Sequence, residues 1–377
     1  MTVLQEEEAW KNRLDHGMIS PADELAFAEF ALTRVSRTFA LNIRILPSPL
    51  RNHVLHAYLY CRMADTIEDD PFLNPAEKIR LLKAFAALFV RTGTGCTGEA
   101  AQAMREFPSR LPEAWRYSSQ WEHLLLAHAP VTLPPFLDFP DPVREVIGHC
   151  VDEMCAGMTD FTAKHARMGG HNIIETVEDL DKYCYYVAGT VGVMLCELFI
   201  RHSGRIHGPR AQSIRSLCVS FGLGLQLTNI LKDLHDDRAR NVSWLPEELL
   251  IREHLTFQDF MRSGSSGGRR RIYITLFAKA KKHLEDALEY SCLIPRFDRR
   301  LRLFCLWPLF MAAETLAMLA ESTEALTQGV RLKIPRRKVE SIVRRTKLFC
   351  WSNYWIHAEF RKPMHRLESA MQALAIT

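Results

Sequence analysis

The chain has 377 residues, of which 47% are hydrophobic, and this apolar content is sufficient for a large core and excludes a globally disordered protein. Its 48 Lys and Arg residues nearly balance its 44 Asp and Glu residues, and the formal charge of +4 is too small to indicate nucleic acid as a partner. The ten cysteines form no Cys-x-x-Cys pair, which favours buried thiols in a reducing compartment over disulfides or a zinc site.

The N-terminal residues 1–8 are acidic and lack the basic and apolar stretches of a signal or transit peptide. No uninterrupted apolar run reaches the eighteen residues of a typical spanning helix, and charged residues interrupt the tail 360–377. We therefore expect a cytoplasmic protein, with or without association to a membrane surface, that has no transmembrane anchor.

Apolar residues recur at intervals of three and four through most of the chain, whereas the alternation typical of strands is scarce. This spacing predicts helices over 24–46, 50–68, 76–91, 143–166, 176–203, 209–235, 272–290, 299–326 and 338–358. The predicted breaks are 92–98, 130–142, 207–209 and 263–268. None resembles a linker between domains, so we predict an all-α fold in a single domain over 1–377.

The first acidic segment runs from Asp65 to Asp69 inside a helical pattern. Asp65 and Asp69 are four residues apart and share one helical face, where their like charges repel unless a cation such as Mg²⁺ lies between them. Arg62 lies on the same face and could bind an anion held by the metal. The alternative is a solvated acidic helix end that stops at Asp69-Asp70-Pro71.

Residues 93–98 read Gly-Thr-Gly-Cys-Thr-Gly and match the spacing of a dinucleotide-binding loop. The preceding segment 78–90 has helical patterning, and no alternation of strands and helices surrounds it. The pattern therefore indicates a loop, and any dinucleotide site must be built differently.

The second acidic segment offers amide and carboxylate oxygens on one helical face. Gln226, Asn229, Asp233 and Asp237 follow one another at steps of three and four residues. Mg²⁺ prefers such oxygen ligands and keeps positions for water and phosphate. The alternative is an exposed, salt-bridged helix end, but two such segments in one helical chain indicate a clamp for a diphosphate.

Three sequence blocks together resemble the squalene and phytoene synthases, and most closely the squalene synthases. The blocks are Asp65-Thr66-Ile67-Glu68-Asp69-Asp70, the run from Tyr183 to Gly192, and the run from Gln226 to Asp233. Further matches lie at 36–40, 154–161 and 304–308, so the resemblance covers about residues 30–345.

The resemblance implies the class I isoprenoid synthase fold, a helical bundle around a central cavity. It also implies that Mg²⁺ and a prenyl diphosphate are held by Asp65, Glu68, Asp69, Asp233 and Asp237. The positions that match substrate-contacting residues are Ser36, Arg37, Thr38, Phe39, Tyr58, Arg62, Gln226 and Asn229. Tyr183 matches a catalytic tyrosine of the family, although composition alone would also allow an ordinary core residue.

The activity implied by the resemblance is the Mg²⁺-dependent, head-to-head joining of two farnesyl diphosphates through presqualene diphosphate, with reduction to squalene by NADPH. The positions that match cofactor contacts are Arg37, Arg62, Lys232, Lys333 and Arg336. Pro335 interrupts the basic loop 333–337, and a solvated turn is the alternative for it. Two other functions stay open: synthesis of presqualene diphosphate, dehydrosqualene or phytoene without reduction, and a non-catalytic scaffold of the same fold.

Two basic segments lie outside these blocks. Arg269-Arg270-Arg271 has no interleaved aromatic residues and is typical of a solvated surface, so we predict no nucleic-acid partner. The segment 348–362 mixes aromatic and cationic residues, as a peripheral membrane contact for product release would, and core packing is the alternative.

Overall fold

The computed structural model describes residues 3–15, 20–90, 97–168, 174–239, 243–262, 267–330 and 332–376. Within these ranges the chain forms helices and turns and contains no strand, which confirms the predicted all-α fold. The chain divides into two compact units, Met1–Thr162 and Ala163–Thr377. The single domain expected from the sequence stays a prediction.

The first unit contains eight α-helices and most of a ninth. Their bounds are α1 Val3–Asp15, α2 Pro21–Val35, α3 Arg37–Arg44, α4 Leu50–Asp69, α5 Pro75–Val90, α6 Thr97–Glu106, α7 Trp121–Ala127, α8 Ala129–Thr132 and α9 Asp141–Met168. Short 3₁₀ helices lie at Phe107–Arg110, Glu113–Tyr117 and Pro134–Asp138.

The second unit is built from the remaining helices. Their bounds are α10 Val177–Cys184, α11 Thr190–His202, α12 Gly208–Ala239, α13 Glu247–Arg252, α14 Phe257–Met261, α15 Gly267–Leu293, α16 Arg299–Glu321, α17 Thr323–Gln328, α18 Arg336–Phe349 and α19 Asn353–Ile376. A π-helical turn, Tyr185–Gly189, joins α10 to α11.

Some of the predicted helical segments are divided in the structure. The predicted segment 24–46 is two helices, because Ser36 adopts an extended backbone and its Oγ accepts a hydrogen bond from the Phe39 N–H at 3.2 Å, which starts α3. The predicted segment 338–358 also forms parts of two helices, because α18 ends at Phe349 and α19 begins at Asn353. Helical periodicity passes through such a break because a turn of a few residues hardly changes the spacing.

Two of the predicted breaks fall partly outside the described residues. Residues 92–96 of the predicted break 92–98 are not described, and its last two residues begin α6. The segment before it is α5, which confirms that no strand precedes the glycines. Residues 263–266 are also not described, whereas Gly267 and Gly268 already belong to α15.

Glycines bring the π-helical turn and α11 into close contact with α12. A Cβ atom on Gly192 would lie 2.3 Å from the Cys218 carbonyl oxygen, and one on Gly222 would lie 2.3 Å from the Ala188 carbonyl oxygen. Both distances are far below van der Waals contact, so only glycine allows these backbones to approach so closely.

The cysteines are core residues, as predicted. Among the nine in the described part of the chain, eight are buried and Cys292 is half-buried, and all of these thiols are free. They pack as small apolar side chains.

The expectation that the chain has no helix able to span a membrane is wrong. Three helical segments are long and apolar enough to cross a membrane by length and composition: Val177–His202, Gly208–His235 and Arg299–Glu321. A search for uninterrupted apolar runs misses them, because glycine, hydroxyl and a few charged residues interrupt each one without lowering its average hydropathy enough. In the Arg299–Glu321 segment, 78% of the most apolar window is buried inside the protein.

Candidate functional site

Helix α4 presents the first acidic segment at its C-terminal end. Tyr58, Arg62, Asp65 and Asp69 follow at steps of four, three and four residues and therefore share one face. The opposite face is packed against the core, where Leu59, Met63, Ile67 and their apolar neighbours are fully buried. Because the buried face fixes the rotation of the helix, the acidic face keeps one orientation.

Within the acidic cluster of Asp65, Glu68 and Asp69, the surroundings of Asp65 and Glu68 oppose negative charge. Burial raises the pKa of Asp65 to about 7, against the attraction of Arg62 and with the help of repulsion from Asp69. Burial also raises the pKa of Glu68 well above its usual value, and the charges of Asp69 and Asp65 add to the shift. The nearest guanidinium nitrogen, Arg62 Nη1, is 3.9 Å from Asp65 Oδ2 and makes only a long ion pair. A bound cation would therefore be stabilised here.

Helix α3 contributes side chains beside the acidic face of α4. The Phe39 and Tyr58 rings lie 5.0 Å apart between centroids, and Phe39 is 38% exposed. Burial raises the pKa of Tyr58, while a hydrogen bond with Ser36 and the charge of Arg62 lower it. The structure thus brings Ser36, Phe39, Tyr58, Arg62 and Asp65 together in the first unit. Thr38 is exposed on α3, and the side chain of Arg37 lies outside the described part.

Helix α12 carries the second acidic segment in the second unit. Gln226 and Asp233 are half-buried and Asn229 is exposed, in agreement with a polar face. Lys232 Nζ lies 3.0 Å from Asp233 Oδ2, so this predicted cofactor residue already neutralises the first carboxylate of the segment. The backbone of Asp237 belongs to α12, but its side chain is not described.

Tyr183 lies at the end of α10 and is 6% exposed. Its ring stacks on the indole of Trp244, with 3.6 Å between ring centroids and an interplanar angle of 15°. Trp244 was not among the residues predicted from the sequence, because a single tryptophan outside a motif carries no signal of a site. The stack restricts the rotation of the Tyr183 ring.

The predicted basic loop is exposed, and part of it is engaged in ion pairs. Lys333 is exposed ahead of α18, and Arg336 Nε donates a hydrogen bond to Glu340 Oε1 at 3.0 Å within α18. Lys338 Nζ lies 3.0 Å from Glu314 Oε2, and Glu314 is 6% exposed. Lys338 therefore pairs with a buried carboxylate, whereas Arg336 pairs with an exposed one, and both Lys333 and Arg336 are exposed.

Within the described ranges, no group of three or more His, Cys, Asp or Glu side chains is close enough together to hold a metal ion. Mg²⁺ usually takes one or two protein carboxylates and completes its shell with water and substrate phosphates. Asp65 and Glu68, whose pKa values are raised by burial and by neighbouring carboxylates, can supply such a set of one or two protein carboxylates.

A family model described as squalene/phytoene synthase matches residues 32–338. This stretch includes both acidic segments and most of both units. The chain belongs to the squalene/phytoene synthase family. Membership accounts for the all-α class I isoprenoid synthase fold and identifies the chain as one of a family of prenyltransferase-like enzymes.

Several relatives carry the name squalene synthase. The chain is 28% identical over 306 residues to the squalene synthase of Schizosaccharomyces pombe, covering 80% of this chain and 61% of the relative. It is 30% identical over 333 residues to that of Solanum lycopersicum, covering 87% and 72%. It is also 29% identical over 326 residues to inactive squalene synthase 2 of Arabidopsis thaliana, covering 86% and 71%. The chain thus spans between three fifths and three quarters of the length of these relatives.

Solved structures share the fold. A ligand complex of TcSQS superimposes with a TM-score of 0.74 at 22% identity, covering 94% of this chain and 96% of that chain. A dehydrosqualene synthase in complex with ligand gives a TM-score of 0.57 at 20% identity, covering 88% and 97%.

Proposed function

We propose that this chain is a squalene synthase that joins two farnesyl diphosphates head to head with Mg²⁺ and reduces the product with NADPH. The observation that carries the proposal is the acidic cluster, in which Asp65 and Glu68 bear a charge cost that a bound cation would offset, in a chain of this family. The names of the relatives support the substrate and the product.

In this proposal the ligands of Mg²⁺ and the substrate diphosphate are Asp65, Glu68 and Asp69 in the first unit and Asp233 and Asp237 in the second. The metal would supply Lewis-acid stabilisation of the leaving diphosphate. Arg62 is about one third exposed beside Asp65, and its guanidinium can donate hydrogen bonds to diphosphate oxygens. The proposed substrate contacts are Ser36, Thr38, Phe39 and Tyr58 in the first unit and Gln226 and Asn229 in the second.

Tyr183 is proposed to act when the cyclopropyl ring of presqualene diphosphate forms. The double bond of one farnesyl chain attacks the allylic carbon of the other, diphosphate leaves with the electron pair of the carbon–oxygen bond, and a proton is lost. The Tyr183 hydroxyl would relay that proton, with the released diphosphate as the final acceptor. The Trp244 stack keeps the phenol ring in one orientation for this transfer.

The reductive step requires NADPH, whose phosphates would be bound by Arg37, Arg62, Lys232, Lys333 and Arg336. Lys333 and Arg336 are exposed, and Arg336 would bind the anion alongside or in place of its contact with Glu340. Lys232 would have to exchange its contact with Asp233 for one with the cofactor.

The purified protein, given farnesyl diphosphate and Mg²⁺ with and without NADPH, tests the proposal. We expect squalene with NADPH and presqualene diphosphate or dehydrosqualene without it. Products that do not change when NADPH is added would instead support the non-reductive alternative, and the absence of any C30 product would contradict both.

The turn between α18 and α19 supports a peripheral membrane contact for release of the apolar product. Leu348, Trp351 and Tyr354 are 59%, 53% and 86% exposed, and the cations Arg344 and Lys347 are exposed on the preceding helical turn. Exposed aromatic residues beside cations are typical of surfaces that contact anionic lipid. Buried Arg302 fixes the turn, because its Nη1 donates a hydrogen bond to the Cys350 carbonyl oxygen at 2.6 Å.

A further inference from the structure

Helix α7 contacts α4 at both ends of the first acidic segment. Glu122 Oε1 lies 3.5 Å from Arg62 Nη2, and His123 Nε2 lies 3.0 Å from Asp70 Oδ2. Glu122 and His123 are neighbours in α7. Along the chain, Arg62 precedes the acidic cluster and Asp70 directly follows it. Neither contact is predictable from the sequence, because the partners lie 60 and 53 residues apart.

The contact at Asp70 fixes the point where α4 ends. The Asp70 side chain is fully buried, and its Oδ1 accepts hydrogen bonds from the backbone N–H groups of Phe72 at 2.8 Å and Leu73 at 2.9 Å. Its other oxygen contacts His123. A carboxylate held on both oxygens cannot rotate, so the turn that follows Asp69 has one geometry.

His123 is itself held on three sides. Its Nε2 contacts Asp70, its Nδ1 lies 3.0 Å from Ser118 Oγ, and its ring stacks on Trp115 at 4.5 Å with an interplanar angle of 6°. The hydrogen-bonded series of Ser118, His123 and Asp70 is similar to the Ser-His-Asp triad of enzymes that use a serine nucleophile. However, Ser118 Oγ also accepts the Gln120 N–H at 3.0 Å next to the start of α7, and Trp115 covers the imidazole face. These contacts fit a positioning function for His123.

The contact between Glu122 and Arg62 leaves the Asp65 carboxylate accessible to a cation. An arginine three residues before an aspartate on a helix can form a close pair with it and thereby occupy its oxygens. Here Arg62 is shared, with Glu122 at 3.5 Å and Asp65 at 3.9 Å. Because Glu122 draws the guanidinium away, the Asp65 oxygens stay open to a cation.

We propose that Glu122 and His123 are positioning residues of the first acidic cluster, which they hold in the geometry that binds a divalent cation together with diphosphate. This inference rests on the proposed function, because it assumes that the cluster binds such a cation. Residues that orient metal ligands typically change metal affinity by about 10- to 100-fold when they are substituted.

The test measures binding of Mn²⁺ in the presence of inorganic diphosphate, by electron paramagnetic resonance, to the full chain and to the variants Glu122→Gln, His123→Ala and His123→Gln. We expect Glu122→Gln and His123→Ala to raise the Kd for Mn²⁺ by about 10-fold or more. His123→Gln should stay nearer to the wild type, because the glutamine amide can replace Nε2 as the donor to Asp70. Glu113→Gln, at an exposed glutamate of the preceding 3₁₀ helix, is the matched control and should bind as the wild type does.

Thermal melting of each variant separates positioning from stability. If Glu122→Gln and His123→Ala bind Mn²⁺ within twofold of the wild type, the proposal is overturned, even if their melting temperatures fall. If His123→Ala does not fold, the partly exposed Glu122→Gln decides. If the wild type itself binds no Mn²⁺ with diphosphate, the proposed metal site fails and this inference fails with it.

Discussion

Asp65 is the residue at which folding and the proposed function are in conflict. Its side chain is 35% exposed, yet burial raises its pKa from 3.8 to about 7. A carboxyl with a raised folded-state pKa binds its proton more tightly in the folded chain, so stability decreases as pH rises from about 4 to about 7. A bound cation favours the ionised form and would remove this cost.

Replacing Asp65 by Asn should therefore stabilise the metal-free protein at high pH. Without divalent ions at pH 8, we expect D65N to melt at a higher temperature than the wild type, and the difference to shrink toward pH 4. Circular dichroism melts in a chelator across this pH range measure the effect. D160N, at an exposed aspartate of α9, is the control and should show no pH-dependent gap. Equal melting temperatures of D65N and wild type at pH 8 would argue against a costly charge at Asp65.

The same residue and Asp233 should be needed for turnover. We expect D65N and D233N each to lower kcat by about 100- to 1,000-fold or more, because each removes a carboxylate ligand of the Mg²⁺ that would stabilise the leaving diphosphate. Product formation from farnesyl diphosphate measures the loss, and D160N should retain activity. If both variants kept their activity, the assignment of Asp65 and Asp233 as metal ligands would be wrong. The inactive relative shows that family membership alone does not guarantee turnover.

At the scale of elements, the close packing of α11 on α12 depends on single glycines. The Cβ position of Gly192 points at the Cys218 carbonyl oxygen, which is backbone and cannot move aside as a side chain could. The π-helical turn Tyr185–Gly189 lies between Tyr183 and this contact. Such turns are frequent at functional sites, where they alter the direction of a helix.

Gly192→Ala should therefore destabilise the second unit. Its Cβ would lie 2.3 Å from the Cys218 oxygen, so the helices must separate, and overpacking of this kind typically costs about 1–3 kcal/mol. Gly204→Ala is the control, because no atom lies within 4 Å of its Cβ position. Denaturant unfolding of both variants measures the difference. A Gly192→Ala variant as stable as Gly204→Ala would show that α11 and α12 pack less closely.

At the scale of the whole molecule, the aromatic turn between α18 and α19 is the surface that we assign to lipid. Large exposed apolar side chains are tolerated singly on a soluble surface, but several in one turn beside cations indicate a binding surface. The three helical segments that could cross a membrane also lie in the second unit, where each is partly buried.

Substituting the exposed side chains of the turn should weaken binding to vesicles. We expect the variant Leu348→Ser, Trp351→Ser, Tyr354→Ser to lose most of its co-sedimentation with phosphatidylserine-containing vesicles, while neutral vesicles bind less than anionic ones at low salt. Ile251→Ser, which replaces an exposed residue of α13, is the control. If the triple variant binds as the wild type does, the turn is not the lipid contact. If it changes only the oligomeric state, a second copy of the chain covers this surface.

Although it missed α1 and short helices such as α6 and α7, the sequence by itself determined most of the long helices, the face of α4 that carries Tyr58, Arg62, Asp65 and Asp69, and the family. These depend on local periodicity and on short motifs, both of which are written along a single segment. The search for uninterrupted apolar runs did not reveal the helices that could cross a membrane. Polar residues interrupt each of them, and only the mean hydropathy over an 18-residue window is high.

Only the tertiary structure decided which side chains support those faces. Trp244 stacks on Tyr183, Glu314 holds Lys338, and His123 contacts Asp70. Helical periodicity predicts which residues of one helix lie on the same face. The side chains that contact this face come from distant segments of the chain. They are selected by how the apolar faces pack, and no local pattern encodes them.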